Sequence, residues 1–250
     1  MSIDHSQTVT VRRVDHLPVV AQALERLGIR QVVDERCPPD PRNRVTAGQC
    51  VEALVVAILD GSHTLYRIDE RIGRYDLKLV LGWEESSDAF NDERMAKALD
   101  DLFEGGLSGT HTGVLVNAVK AYELNLSRNH FDTTTFKVHG EYRGSVEKDD
   151  ELPEAIPHVT YGHSKDHRAD LKQVLYGLTV SADGGVPIAA RVISGNRSDA
   201  EENRFNLRRL AEVLPDPRDT TLVADSKFFA GETLLLALAH RVVARHLRVV

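Results

Sequence analysis

The feature that most constrains this chain is a change of hydrophobic period near residue 128. Before it, apolar residues recur three and four apart, the spacing of one helix face. His16–Leu27 carries Leu17, Val20, Leu24 and Leu27 at that spacing, with Pro18 in the first turn and Gly28 at the end. Thr46 is placed to cap a second helix that runs to Leu59 and stops at Gly61. Leu65, Ile68 and Ile72 mark a short third one. Asn91 or Asp92 opens another, with Met95, Leu99, Leu102 and Phe103 as its stripe and Gly105-Gly106 as its stop. A further helix is predicted from Thr110 to Tyr122. The plain reading of these stripes is packing.

After residue 128 the pattern becomes strand-like. Phe131–Val138 is the first β-branched run, and Lys172–Ser181 and Val186–Ile193 flank Ala182-Asp183-Gly184-Gly185, whose Asp-Gly pair signals a hairpin. Asp199 is expected to cap a helix with Glu201 and Glu202 in its first turn, favourable against the helix dipole. Phe205, Leu207, Leu210 and Leu214 supply its apolar side, and Pro215 and Pro217 close it. Thr220–Asp225 reads as a short buried strand, followed by the amphipathic stretch Glu232–Arg241. The expectation is a helical domain over residues 1–127 and an α/β layer with mixed strand pairing over 128–250. The long polar segment His139–Asp170 between the first strand and the hairpin is of a length that is usually functional or disordered.

Composition excludes some classes. The richest apolar run, Ala53–Leu59, is far short of the ~20 residues that span a bilayer. The start, MSIDHSQTVT, is polar and acidic, unlike a secretory signal. Cys37 and Cys50 are the only cysteines, with no CxxC and no His–Cys spacing suited to zinc, so a cytoplasmic protein is expected, with no membrane partner. The formal net charge of −7 argues against a surface that grips nucleic acid all over, but the charge is uneven. Val11–Arg13 and Ser164–Lys172 are relatively basic, whereas Glu84–Glu104 and Glu147–Glu154 are strongly acidic.

Two acids stand in strand-like company. Asp132 lies between Phe131 and Thr133-Thr134-Thr135, and Asp225 ends the run Thr221-Leu222-Val223-Ala224. Each is either a solvated acid at a strand end or one placed for chemistry, and spacing alone leaves both open. On adjacent strands the two would repel unless a divalent cation sat between them. Mg²⁺ takes such a set, one or two carboxylates with waters and substrate phosphates.

The stretches FDTTTFKVHG, GHSKDHRADLKQVLYGLTVSADGGVPIAARVISGNRSDAEEN and LVADSKFF resemble, in that order, the catalytic-domain segments of DDE transposases of bacterial and archaeal insertion sequences. The helical first half is similar to the region that often precedes that domain. The resemblance implies an RNase H-like mixed sheet with flanking helices, incomplete at its C-terminal side, in which Asp132 and Asp225 are catalytic and hold Mg²⁺ or Mn²⁺. It implies metal-dependent DNA cleavage and strand transfer, with transposon ends and target DNA as partners. Lys165, Arg168 and Lys172, with His163 and His167, match a family stretch whose basic side chains could meet DNA phosphates. The competing reading is a solvated loop with ion pairs to Asp166 and Asp170. Asn196 and Asp199 read as turn and helix cap. In the family a glutamate on a downstream helix completes the triad. Here only Glu232 follows Asp225, too close behind it to take that role. A shortened transposase, weakly active or inactive, is therefore expected. The alternative is a non-catalytic DNA-binding or subunit-binding fragment that regulates an intact transposase, as a homo-oligomer or hetero-oligomer.

Overall fold

The structure, a computed structural model, describes residues 11–61, 64–142, 157–162, 168–197, 199–214, 219–224, 233, 235 and 243–246. The chain divides into two compact units, Met1–Glu123 and Leu124–Val250.

The first unit is helical: α1 Leu17–Leu27, α2 Ile29–Arg36, α3 Ala47–Leu59, α4 Ile68–Ile72, α5 Leu77–Leu81, a 3-10 turn Ser87–Phe90, α6 Asp92–Glu104 and α7 Leu107–Tyr122. Local chemistry accounts for most of these ends. The Thr46 hydroxyl accepts the Gln49 N–H and the Gln49 side chain accepts the Thr46 N–H, a complete capping box on α3. Asn91 caps α6 through the Arg94 N–H at 2.9 Å. Gly28, at φ 60°, lets α1 end and α2 begin without a loop, so α2 is a helix that the periodicity did not separate.

Two expectations shift. α7 starts at Leu107 rather than Thr110, because the Thr110 hydroxyl donates to the Gly106 carbonyl one turn back and so sits inside the helix instead of capping it. On α6 the buried residues are Met95 and Ala98, with Leu102 packed beside them, while Leu99 and Phe103 fall on an exposed flank. The core gathers Leu17, Val56, Ile68, Ile72, Trp83 and Phe90, the last two rings stacked at 4.7 Å. One charge enters that core. Glu52, 6% exposed, accepts from Arg30 at 2.6 and 3.0 Å and from the Trp83 indole N–H at 3.1 Å.

The second unit is built on β1 Arg128–Val138, β2 Lys172–Ser181, β3 Pro187–Ser194, α8 Asp199–Val213, β4 Thr221–Ala224 and β5 Val243–His246. The described strands form one sheet in the order β3-β2-β1-β4-β5. β2 runs antiparallel to β1 and β3, while β4 pairs parallel with β1 and β5 parallel with β4. This helix-plus-mixed-sheet architecture is α+β.

The β2–β3 hairpin follows from its turn. Gly184 and Gly185 both have positive φ, the Ser181 hydroxyl donates to the Asp183 carbonyl and accepts the Val186 N–H, and a bulge at Thr179/Val180 starts β3 at Pro187. α8 packs on β2 and β3 through Leu207 and Leu210, both fully buried, and the Thr179 hydroxyl meets Asn206 Oδ1 at 2.6 Å. α8 begins at Asp199 itself, and Glu202 does not sit in a solvated first turn. It is 3% exposed and turned onto Gly177 of β2, where a Cβ would crowd the carboxylate at 3.0 Å from Oε1. Pro215 and Pro217 lie outside the described residues, and Glu232–Arg241 is described only at Thr233 and Leu235, both helical.

Candidate functional site

The alternation of β1 decides which side chains share a face. Asn129, Phe131 and Thr133 are buried, whereas Asp132 and Thr134 are exposed and His130 is half-buried. Asp132 is the fifth residue of an eleven-residue strand, so it does not stand at a strand entrance. An acid in mid-strand goes against strand propensity, with no capping role to explain it. Its in-register neighbour on β2 is Leu178, within a row of half-buried apolar residues, Val174, Tyr176, Leu178 and Val180. Phe136, edge-on to Tyr176 at 5.9 Å, and Val192 extend this face and are exposed. α8 covers the opposite face, that of Gly177 and Thr179.

A cavity of about 400 Å³ opens over Asp132, lined by His130, Thr134, Tyr176, Leu178, Val180 and, from β4, Val223 and Ala224. Asp132 Oδ1 accepts the Thr133 backbone N–H at 2.7 Å, while Oδ2 has no protein partner among the described residues. β4 reaches the cavity because its parallel register runs Arg128↔Thr221, Asn129↔Leu222 and His130↔Val223. Asp225, the next residue after Ala224, lies outside the described residues. His130, Thr134 and Tyr176 went unnoticed in the sequence. A two-residue alternation counted outward from Asp132 would have found the first two, but Tyr176 needs the β1–β2 register.

The donor set suits a hard cation. One carboxylate oxygen without a protein partner among the described residues, at a cavity with room for waters and phosphate oxygens, matches what Mg²⁺ accepts. Among the described residues no group of three or more His, Cys, Asp or Glu is placed to hold a metal.

The basic residues matched to DNA contact are described only in part. Lys165, His163 and His167 lie outside the described residues. Arg168 forms a two-pronged pair with Asp170, both contacts at 2.7 Å, and this holds the exposed Asp170 carboxyl down at about 2. The local ion pair is therefore present. Lys172 donates to the Glu141 carbonyl at 2.9 Å and sits over the Tyr161 ring. It is in register with Val138, six residues along β1 from Asp132, which is about 20 Å at strand rise. The register does not bring Lys172 to the carboxylate. Asn196 is in the turn after β3 and Asp199 is the first residue of α8. Gly195, in the same turn, has the clearest structural reason for its identity: a Cβ there would come within 2.1 Å of the Gln173 carbonyl oxygen.

Fold and site together define an α+β protein whose mixed sheet presents a mid-strand carboxylate to a cavity. Comparison with known proteins adds the following. Residues 9–116 match a family described as a domain of unknown function, DUF4277. No curated protein matches the chain. Among solved structures it is similar to a Mos1 transposase paired-end complex with left transposon end (12% identity, 82% of this chain and 60% of that chain covered, TM-score 0.30). It is also similar to a pre-cleavage Mos1 transpososome (11% identity, the same coverages, TM-score 0.31) and to a Mos1 mariner paired-end complex with Mn (12% identity, TM-score 0.30). The chain spans about 60% of the length of these proteins. At this identity and TM-score the likeness carries no activity across to the present chain. No described helix is long and apolar enough to cross a membrane.

Proposed function

We propose that this chain is a DDE-type transposase of insertion-sequence character. On this reading residues 1–127 form a helical domain and 128–250 the catalytic one, and Asp132 and Asp225 together carry metal-dependent DNA cleavage and strand transfer. The observation that supports it most is that β4 ends at Ala224 in the lining of the cavity over Asp132, one residue before Asp225 in the sequence. An acid in mid-strand is poorly explained by folding alone and better explained by chemical work.

Mg²⁺ or Mn²⁺, held by Asp132 and Asp225 with DNA phosphate oxygens, would supply charge stabilisation at the attacking and leaving oxygens of an in-line displacement. The chain's own part is positioning. The Thr133 N–H fixes the Asp132 carboxylate, and the apolar wall of Leu178, Val180 and Val223 excludes bulk water from one side, which strengthens every charge interaction in the cavity. The third carboxylate implied by the resemblance is not assigned to a residue. DNA is the partner on this reading. Lys165, Arg168 and Lys172 would meet its backbone, Lys172 about six base-pair rises from Asp132.

The test is strand cleavage of element-end DNA with Mg²⁺ or Mn²⁺, comparing the chain with Asp132→Ala. Metal-dependent nicking that disappears in the variant supports the reading, and equal product from both overturns it. A chain that binds DNA but cleaves with neither metal is instead the non-catalytic partner of an intact transposase.

A further inference from the structure

The helical unit holds a cavity of its own, of about 730 Å³, between α1, α2 and α5 with α3 at its floor. Small-molecule sites run from about 300 to 1,000 Å³. The elements account for its walls. Gly28 turns α1 straight into α2, which sets Ala21 on one side and Arg30 on the next, and α5 adds Val80 and Leu81. Gly48 brings α3 so close to α2 that a Cβ there would come within 2.6 Å of the Arg30 carbonyl oxygen. Glu52, four residues on and so on the same face of α3, meets the Arg30 side chain. This ion pair is satisfied on one side only. Glu52 Oε2 accepts from Arg30 Nε at 3.0 Å, from Arg30 Nη2 at 2.6 Å and from the Trp83 indole N–H at 3.1 Å. Among the described residues Glu52 Oε1 accepts from none and Arg30 Nη1 donates to none. Glu52 is 6% exposed, and the cavity is its opening to solvent.

We propose that this cavity binds an unpaired nucleobase by its Watson–Crick edge. The open carboxylate oxygen calls for a donor and the open guanidinium nitrogen for an acceptor, so the occupant offers both side by side. An ammonium group would satisfy Glu52 and be repelled by Arg30, and a carboxylate or phosphate would do the reverse. An ordinary trans peptide group points its N–H and C=O in opposite directions and cannot present both from one edge. A cyclic amide or amidine can, and each nucleobase carries one: N3–H beside a carbonyl in thymine, ring N1 beside the amino group in adenine. Both contacts are charge-assisted and so stronger than those between neutral groups. Pro18, Ala21, Leu24 and Val80 give the cavity aliphatic sides on which a flat ring packs. Pairing closes the same edge in a duplex, so the base comes from a free nucleoside or from an unpaired position in a strand. The described lining residues all belong to the helical unit, and the cavity takes a base whether or not Asp132 cleaves DNA.

Trp83 is the only tryptophan and donates to Glu52, so its fluorescence reports the cavity floor. The experiment titrates the full chain with thymidine and with N3-methylthymidine, exciting Trp83 at the red edge of its absorption, where nucleosides are transparent. Thymidine should change the emission saturably. The methylated analogue keeps the ring, both carbonyls and the sugar but has no donor for Glu52. Losing a hydrogen bond to a charged group should weaken its binding roughly ten-fold or more. Ala21→Phe, at a half-buried position on the α1 wall, should fill the cavity and remove the response. An unchanged melting temperature and resting emission show that this variant keeps its fold, and the analogue pair decides the matter even where it does not. Single-stranded oligo-dT and its duplex with oligo-dA separate the two sources. A response to thymidine and to the single strand but not the duplex upholds the site and makes the occupant a base of an unpaired strand. A response to thymidine alone upholds it for a free nucleoside. Equal binding of thymidine and its methylated analogue, an unchanged response in folded Ala21→Phe, or no saturable response to any of the four nucleosides overturns the site. Acetamide acting at the same concentrations as thymidine would assign the cavity to a carboxamide side chain and overturn it too.

Discussion

The Asp132 carboxylate accepts the backbone N–H of the residue that follows it, Thr133, at 2.7 Å. That bond is made within the strand's own chain, so it orients the acid without borrowing a donor from the β1–β2 ladder. It commits one oxygen and leaves the other facing the cavity. The acid is thus fixed in direction while remaining in solvent.

Asp132→Val should trade stability for activity. A β-branched residue suits an exposed mid-strand position beside Leu178 better than an acid does, on a propensity scale that spans about 1 kcal/mol. The expected outcome is a melting temperature equal to or above that of the wild type, with DNA cleavage abolished. A clear loss of stability in this variant would mark Asp132 as a structural residue.

Gly195→Ala should strongly destabilise the sheet unit. Its Cβ would meet two backbone oxygens, that of Gln173 at 2.1 Å and that of Thr160 at 2.7 Å, neither of which can swing aside like a side chain. Overpacking of this kind costs about 1–3 kcal/mol or more. Urea unfolding followed by circular dichroism measures it, and a shift of less than a few tenths of a kcal/mol would show that the turn relaxes freely.

Glu52→Ala should destabilise the helical unit, leaving the Arg30 guanidinium and the Trp83 indole N–H without their shared acceptor. Breaking a buried ion pair costs about 3–5 kcal/mol, and the partial exposure of Arg30 places this case at or below the lower end. Trp83 is the only tryptophan, so its fluorescence reports the first unit. If the two units unfold independently, Glu52→Ala moves the fluorescence transition and Gly195→Ala leaves it in place.

Glu202 gives a pH dependence of opposite sign to that of most carboxylates. Burial raises its pKa in the folded state, the nearby Arg191 offsetting only part of that, so between its unfolded and folded pKa values the native protein holds the extra proton. Stability therefore falls as pH rises through that window and levels off above the folded pKa. Glu202→Gln carries no such proton, and its unfolding midpoint relative to the wild type should climb from pH 4 to pH 7, by the same linkage. A difference between the two that stays constant with pH would show that Glu202 titrates normally.

What was legible in the sequence was decided within a turn or two of each residue. Thr46 and Gln49 make a capping box because they are three apart, Asn91 reaches the Arg94 N–H for the same reason, and the Ala182–Gly185 turn brings its flanking strands together without help from the rest of the chain. The change of period near residue 128 likewise reflects only which neighbours are apolar. Tertiary structure decided what depends on distant partners. Glu202 looked like a first-turn acid for a helix dipole, until packing α8 on β2 carried it over Gly177 and into the protein. Phe205 had the spacing of a core residue and became the platform for Arg191, a residue of another element. The pairing of β1 with β4 joins residues more than ninety positions apart, and no local preference encodes it. Only that parallel register sets the end of β4 into the cavity over Asp132, because a sheet is assembled by hydrogen bonds whose partners the sequence does not place side by side.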